Sequence, residues 1–128
     1  MLNRFRLPLA FIFAIFLIAP ASAERAAYSK AAFQAAQNEG RAILIDIAAP
    51  WCPVCRAQKQ VIGKLSAKAK YKTLLVLEVS FDDQKDVVRS FSAQKQSTLI
   101  AYKGSTETGR VSYTSDAGSI EKVVASAF

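Results

Sequence analysis

Cys52 and Cys55 are the only thiols among 128 residues, and only Pro53 and Val54 stand between them. On the first turn of a helix, residues three apart share a face, so these two sulfurs can close a small ring or open to a dithiol. The segment just before them, Ala42 to Ala48, is a nearly all-apolar run. The pair therefore falls at a strand-to-helix junction, a context that points strongly to thiol–disulfide chemistry. Cys52, at the helix start, meets unpaired backbone N–H groups and the positive end of the helix dipole, and both favour a thiolate. Cys55, one turn in, is expected to be the more buried and to stay a thiol until needed.

The chain has no His, and its single Met is Met1. Ser-His-Asp and Cys-His catalysis are thereby excluded, and two Cys without His cannot build a four-ligand zinc site. No metal ligand set is expected, and no bound cofactor beyond a reversible Cys52–Cys55 disulfide. A free thiol with a pKa near 8.5 is roughly 3% ionised at pH 7. Bringing it near 7 takes ~2 kcal/mol, which a partly buried helix terminus can nearly supply alone. No charged or imidazole group lies between the thiols to depress the pKa further. A moderate redox poise follows, that of a reductant or exchanger rather than a strong oxidant. The other reading is a structural bridge. Its loop of four residues constrains the unfolded chain by only roughly 2 kcal/mol, and exported proteins more often staple distant segments.

The elements that must position the pair are legible around it. Tyr28 to Asn38 reads as a helix with Ala32, Ala35 and Ala36 on one side, stopped at Gly40. Ala42 to Ala48 is a central strand buried on both faces. Cys52 to about Ala69 is helical, with a stripe of Val54, Cys55, Val61, Ile62 and Leu65. Thr73 to Phe81 is a second buried strand, and Gln84 to Phe91 a short helix. Thr98–Tyr102 and Arg110–Thr114 form a hairpin through Gly104 and Gly109, and a last helix runs from about Asp116 to Ala127. This order predicts an α/β domain: a central mixed four-stranded sheet (β-α-β-α-β-β-α core) with helices on both faces and an extra N-terminal helix.

Residues 1–23 read as an address rather than as fold. Arg4 and Arg6 precede an apolar run from Leu7 to Ala19, too short to span a bilayer comfortably, and Ala21-Ser22-Ala23 supplies a small-x-small cleavage pattern. The expectation is a signal peptide over 1–23 and one domain over 24–128, periplasmic or secreted after cleavage near Ala23, or membrane-anchored if uncleaved. Removing Arg4 and Arg6 lowers the net charge by two from +7. The remaining basic residues are scattered, with Lys64, Lys68, Lys70 and Lys72 loosely grouped near a helix end. That pattern fits a solvated face and not nucleic-acid recognition.

The segment Asp46-Ile-Ala-Ala-Pro-Trp-Cys-Pro-Val-Cys55 resembles the active-site segment of the thioredoxin superfamily, including Trp51 before the first Cys and an acid six residues before it. The likeness extends over essentially all of 24–128 and is nearest to exported thioredoxin-like proteins, with the family's additional first strand missing. It implies that Cys52 is the attacking thiolate and Cys55 the resolving thiol, and that Asp46 removes the proton from the resolving Cys. Burial on an apolar strand is expected to raise Asp46 toward a useful general-base value. The alternative for Asp46 is an acid capping a neighbouring loop. Trp51, Pro53, Ser97 and Thr98 are the implied substrate-binding residues. Protein disulfides are the implied substrates, a membrane-embedded electron donor the implied partner, and a monomer the implied state.

Three departures from the family pattern stand out. Ser97 occupies the place of a cis-proline; a non-proline cis bond costs about 3 kcal/mol, so a trans bond is expected. Because that loop docks substrate in the family, the change keeps a second function open: a non-catalytic module holding Cu(I) or another soft metal. Glu78 falls where many cytosolic members carry a Lys paired with the buried acid. Facing Asp46 it forms a coupled carboxylate pair with a catalytic role; facing outward it is a solvated residue. Finally, the proline that usually bends the active-site helix is absent, and Gly63 is the position left to loosen it.

Overall fold

A computed structural model describes residues 23–128, and the expected leader lies almost wholly outside them. The chain runs β1 (Glu24–Ala27), α1 (Lys30–Asn38), β2 (Ala42–Ala48), α2 (Pro53–Ser66), a 3-10 turn (Ala69–Tyr71), β3 (Leu75–Ser80), α3 (Lys85–Ser90), β4 (Thr98–Lys103), β5 (Thr106–Ser112) and α4 (Ala117–Ala125). The sheet order is β1-β3-β2-β4-β5. β1, β3 and β2 are parallel, whereas β4 is antiparallel to β2 and β5 to β4. This is the thioredoxin fold, with five strands where the sequence predicts four.

The additional strand, expected to be missing, is present as β1. Its four residues Glu-Arg-Ala-Ala are all exposed, so no apolar alternation marks them. Backbone pairing with β3 holds the strand, aided by Glu24 N–H to Leu74 C=O at 3.0 Å and Tyr28 N–H to Glu78 C=O at 2.8 Å. The hairpin also differs, because β4 turns through Gly104 and Ser105 and β5 begins at Thr106. Gly109 lies inside β5, beside a bulge, and not in the turn.

Two apolar layers flank the sheet. Ile43, Ile45 and Ile47 of β2 point to the side of α1 and α3, where they meet Ala36, Val88 and Phe91. Leu44 points to the other side, toward Ile62 and Leu65 of α2 and Ile120, Val123 and Val124 of α4. Strand alternation then fixes Asp46, two residues after Leu44, on the α2 side. In register with it, Glu78 shares that face. Gly40, at φ +68°, ends α1 in the left-handed conformation that glycine adopts without steric cost. Gly63 sits within the continuous helix α2.

Candidate active site

Cys52 is the N-cap of α2 and Pro53 its first residue, where a missing N–H costs nothing. The cap works through sulfur: Cys52 Sγ accepts the Cys55 backbone N–H at 3.1 Å. The two cysteines form a disulfide with Cα atoms 5.3 Å apart. Their burial differs from the expected order. Cys52 is 1% exposed and Cys55 5% exposed, so the first cysteine is at least as buried as the second. The cause is the segment before β4. Ser97 is fully buried against Cys52, its Oγ 3.8 Å from Cys52 Sγ, and no peptide bond among the described residues is cis. Cys55 instead lines an open cavity of about 270 Å³ with Arg25, Lys59 and Glu78.

Asp46 is 1% exposed and sits in the middle of the sheet. Its Oδ2 accepts from Arg25 Nη2, while its Oδ1 has no partner among the described residues. Glu78 faces Asp46 rather than turning away. The same Arg25 group donates to Glu78 Oε2 at 2.7 Å, and Lys59 Nζ lies 3.8 Å from that oxygen. Burial raises the Asp46 carboxyl above its ordinary value, Arg25 pulls it back down, the Glu78 charge adds to the rise, and Lys59 opposes it. Arg25 lines the Cys55 cavity and also bonds to Asp46, which does not itself line it.

The implied substrate-binding residues divide into two kinds. Trp51 is 56% exposed, its Nε1 donating to Asp82 Oδ2 at 2.9 Å and its ring edge-on to Phe81. Pro53 beside it is also exposed. Ser97 and Thr98 are buried, and the Thr98 hydroxyl is taken up by Lys95 C=O at 2.7 Å and Ser112 Oγ at 3.0 Å. Thr98 thus braces the loop.

Two further residues of the site carry little signal in the sequence. Arg25 lies on the strand that had no apolar signal. Gln58 lies on the buried stripe of α2, three after Cys55 and four before Ile62, and a polar residue on that stripe was the available clue. It is fully buried; its Nε2 donates to Ser97 C=O at 3.1 Å and Thr114 C=O at 2.8 Å, tying the Ser97 loop to the helix that carries the cysteines.

Residues 24–126 match the thioredoxin family. Thioredoxin from Bos taurus is 33% identical over 86 residues, covering 66% of this chain and 80% of that protein. A thioredoxin H-type from Fagopyrum esculentum is 29% identical over 79 residues, covering 62% and 66%. Among solved structures, Trxlp from Edwardsiella tarda superposes with a TM-score of 0.74 at 35% identity, covering 78% of this chain and 98% of that one. Schistosoma mansoni thioredoxin shares the fold with a TM-score of 0.67 at 18% identity, covering 84% and 96%. Since the family match takes in nearly every described residue and includes the cysteine-bearing helix and the strand that buries its acid, the chain belongs to the thioredoxin family of thiol–disulfide oxidoreductases.

Proposed function

We propose that the chain reduces or exchanges protein disulfides in the cell envelope, after export and removal of residues 1–23, and works as a monomer recharged by a membrane-embedded dithiol donor. The supporting observation is the environment of Cys52 Sγ. It accepts one backbone N–H at the head of α2 and has no cationic side chain bonded to it among the described residues. Such a site favours a thiolate moderately, which suits a reductant or exchanger better than a strong oxidant.

The Cys52 thiolate attacks one sulfur of a substrate disulfide, forming a Cys52–substrate mixed disulfide and releasing the other substrate sulfur as a thiolate. Cys55 then loses its proton to the carboxylate pair across the cavity and attacks Cys52 Sγ. The internal disulfide forms and the second substrate thiolate leaves, so two electrons pass to substrate. Asp46 and Glu78 serve as one unit because they share Arg25. The exposed Trp51 and Pro53 offer the apolar contact beside the disulfide.

The test pairs a redox equilibrium against glutathione with an insulin-reduction assay on the mature protein. A potential of about −200 to −270 mV with Cys52-dependent reduction is expected. A potential far below about −300 mV, without turnover, belongs to a structural bridge and overturns the reading. The soft-metal alternative uses the same two sulfurs, so a parallel Cu(I) titration separates it: tight stoichiometric binding with no reductase activity would establish it instead. N-terminal sequencing of protein from fractionated cells tests export, with Glu24 expected as the first residue of the envelope form.

A further inference from the structure

The Ser97 hydroxyl is buried beside Cys52 in a backbone conformation that disfavours any side chain. Ser97 has φ +56°, in the left-handed region where only glycine sits freely, and its side chain is held there at a steric cost. Two bonds over-determine the conformation: the Ser97 carbonyl accepts from Tyr113 N–H at 2.9 Å and from Gln58 Nε2 at 3.1 Å. Tyr113 is itself left-handed, at φ +61°. The fixed loop delivers Ser97 Oγ to 3.8 Å from Cys52 Sγ, its sole side-chain partner among the described residues. A buried hydroxyl is ordinarily paired with oxygen or nitrogen; this one has been given a sulfur.

We propose that Ser97 is a catalytic residue whose hydroxyl donates a hydrogen bond to the Cys52 thiolate, completing with the Cys55 N–H a two-donor cradle for the attacking sulfur. This rests on the thiol–disulfide reading above and assigns Ser97 a role beyond substrate docking. A disulfide sulfur is a weak acceptor, whereas a thiolate turns the same contact into a charge-assisted bond. The hydroxyl therefore favours the reduced, ionised form over both the disulfide and the neutral thiol. In a chain without His, it is the second donor that the helix end alone does not provide.

Neighbouring charges are otherwise engaged. On α2, Arg56 donates to Pro50 C=O at 3.2 Å and Lys59 pairs with Glu78. After β3, Asp82 accepts from Trp51, and before β4, Lys95 lies over the Tyr113 ring. Arg25 and Asp46 pair with each other on the sheet.

The experiment titrates Cys52 by thiolate absorbance in the reduced mature protein, comparing wild type with Ser97→Ala and Ser97→Gly. Ser97→Ala removes the hydroxyl and keeps the strain; Ser97→Gly removes both. The expected result is a Cys52 pKa raised in both variants by about one unit, a tenfold loss of thiolate at acidic pH. Attack on the small disulfide DTNB at pH 6 should slow by about threefold in both, because the less acidic thiolate is the better nucleophile and recovers part of the tenfold loss. Ser97→Gly should meanwhile be at least as stable as wild type, since its backbone strain is relieved. A purely structural role moves stability and leaves the titration alone, so an unchanged Cys52 pKa in the two variants overturns the assignment. The titration needs no protein substrate; failure of insulin reduction by the wild type would strike the proposed function and leave the Ser97 result readable.

Discussion

Arg25 is the only hydrogen-bond partner of the Asp46 carboxylate among the described residues, and it reaches that buried acid from the exposed edge strand β1. The cation therefore comes from a different strand than the family resemblance suggests. Glu78 stands on β3 in register with Asp46, and Arg25 bonds to both carboxylates from the far side of β3. One guanidinium serves two acids, and among the described residues the second cation beside them is Lys59, 3.8 Å from Glu78 at the exposed rim. The formal charges balance, but Lys59 is mostly exposed and pairs with Glu78, so burial still holds the Asp46 carboxyl above its ordinary value, as the proposed proton transfer from Cys55 requires.

Asp46→Asn should make the protein more stable at neutral pH and slower. The folded-state pKa of Asp46 lies above its unfolded value. Its favourable contribution is thus fully present below the unfolded pKa and is lost as pH rises through the folded one. At pH 7 the wild type carries that penalty together with an unpartnered Oδ1. The amide should gain about 1–2 kcal/mol in urea denaturation at pH 7, and the gain should vanish as pH falls below the ordinary carboxylate range. Resolution of a mixed disulfide by Cys55 should slow by up to ~100-fold. A variant equally stable relative to wild type at every pH would contradict the placement of the acid.

Arg25→Gln should act in the opposite sense on stability. Without the guanidinium, Asp46 faces Glu78 with only Lys59 to help, and its carboxyl moves further up. The loss should be about 1–2 kcal/mol at pH 8, a modest figure because the arginine is partly open to water, and should shrink on acidification as Asp46 binds its proton. The acidic limb of the pH–rate profile for disulfide resolution should move to higher pH. Denaturation midpoints at pH 5 and pH 8, read beside that profile, check both effects.

Much of this architecture was legible because it rests on burial. Strand β2 is apolar on both faces between Gly40 and Pro50 except at Asp46, α2 begins at its own cysteine cap, and Gly40 ends α1 where the pattern stops. Strand β1 was hidden because backbone pairing, and not an apolar face, holds it, and Arg25 was hidden with it. The turn of Glu78 toward Asp46 depends on the β2–β3 register, a relation between segments more than thirty residues apart that neither segment encodes alone. The greater cover over Cys52 comes likewise from a distant loop. Its left-handed Ser97 has no propensity signal, because tertiary hydrogen bonds impose the conformation.

Gly63→Ala should stabilise the protein without touching its chemistry. The residue sits in the interior of α2, and a Cβ built there meets nothing within 4 Å. Replacing glycine by alanine in an unstrained helix interior gains about 0.5–1 kcal/mol, mostly by restricting the unfolded chain. For a domain of this size that is a rise in Tm of about 3–6 °C. Insulin reduction should be unchanged. A loss of activity with the gain in Tm would mean that the glycine loosens the helix for function in place of the absent proline.

Gln58→Leu tests how the Ser97 loop is held. The substitution keeps an apolar-compatible volume on the α2 stripe but leaves Thr114 C=O without its Nε2 donor and Ser97 C=O with Tyr113 N–H alone. Stability should fall by about 1–3 kcal/mol, partly offset because the buried Oε1, unpartnered in the wild type, disappears as well. If Gln58 positions the Ser97 hydroxyl, the Cys52 pKa should rise toward that of Ser97→Ala. The double variant with Ser97→Gly separates this from general loosening. Once the hydroxyl is gone, Gln58→Leu should cost stability with no further rise in the Cys52 pKa, a coupling that the double-mutant cycle reads directly. Additive rises would show that the glutamine acts on Cys52 by another route.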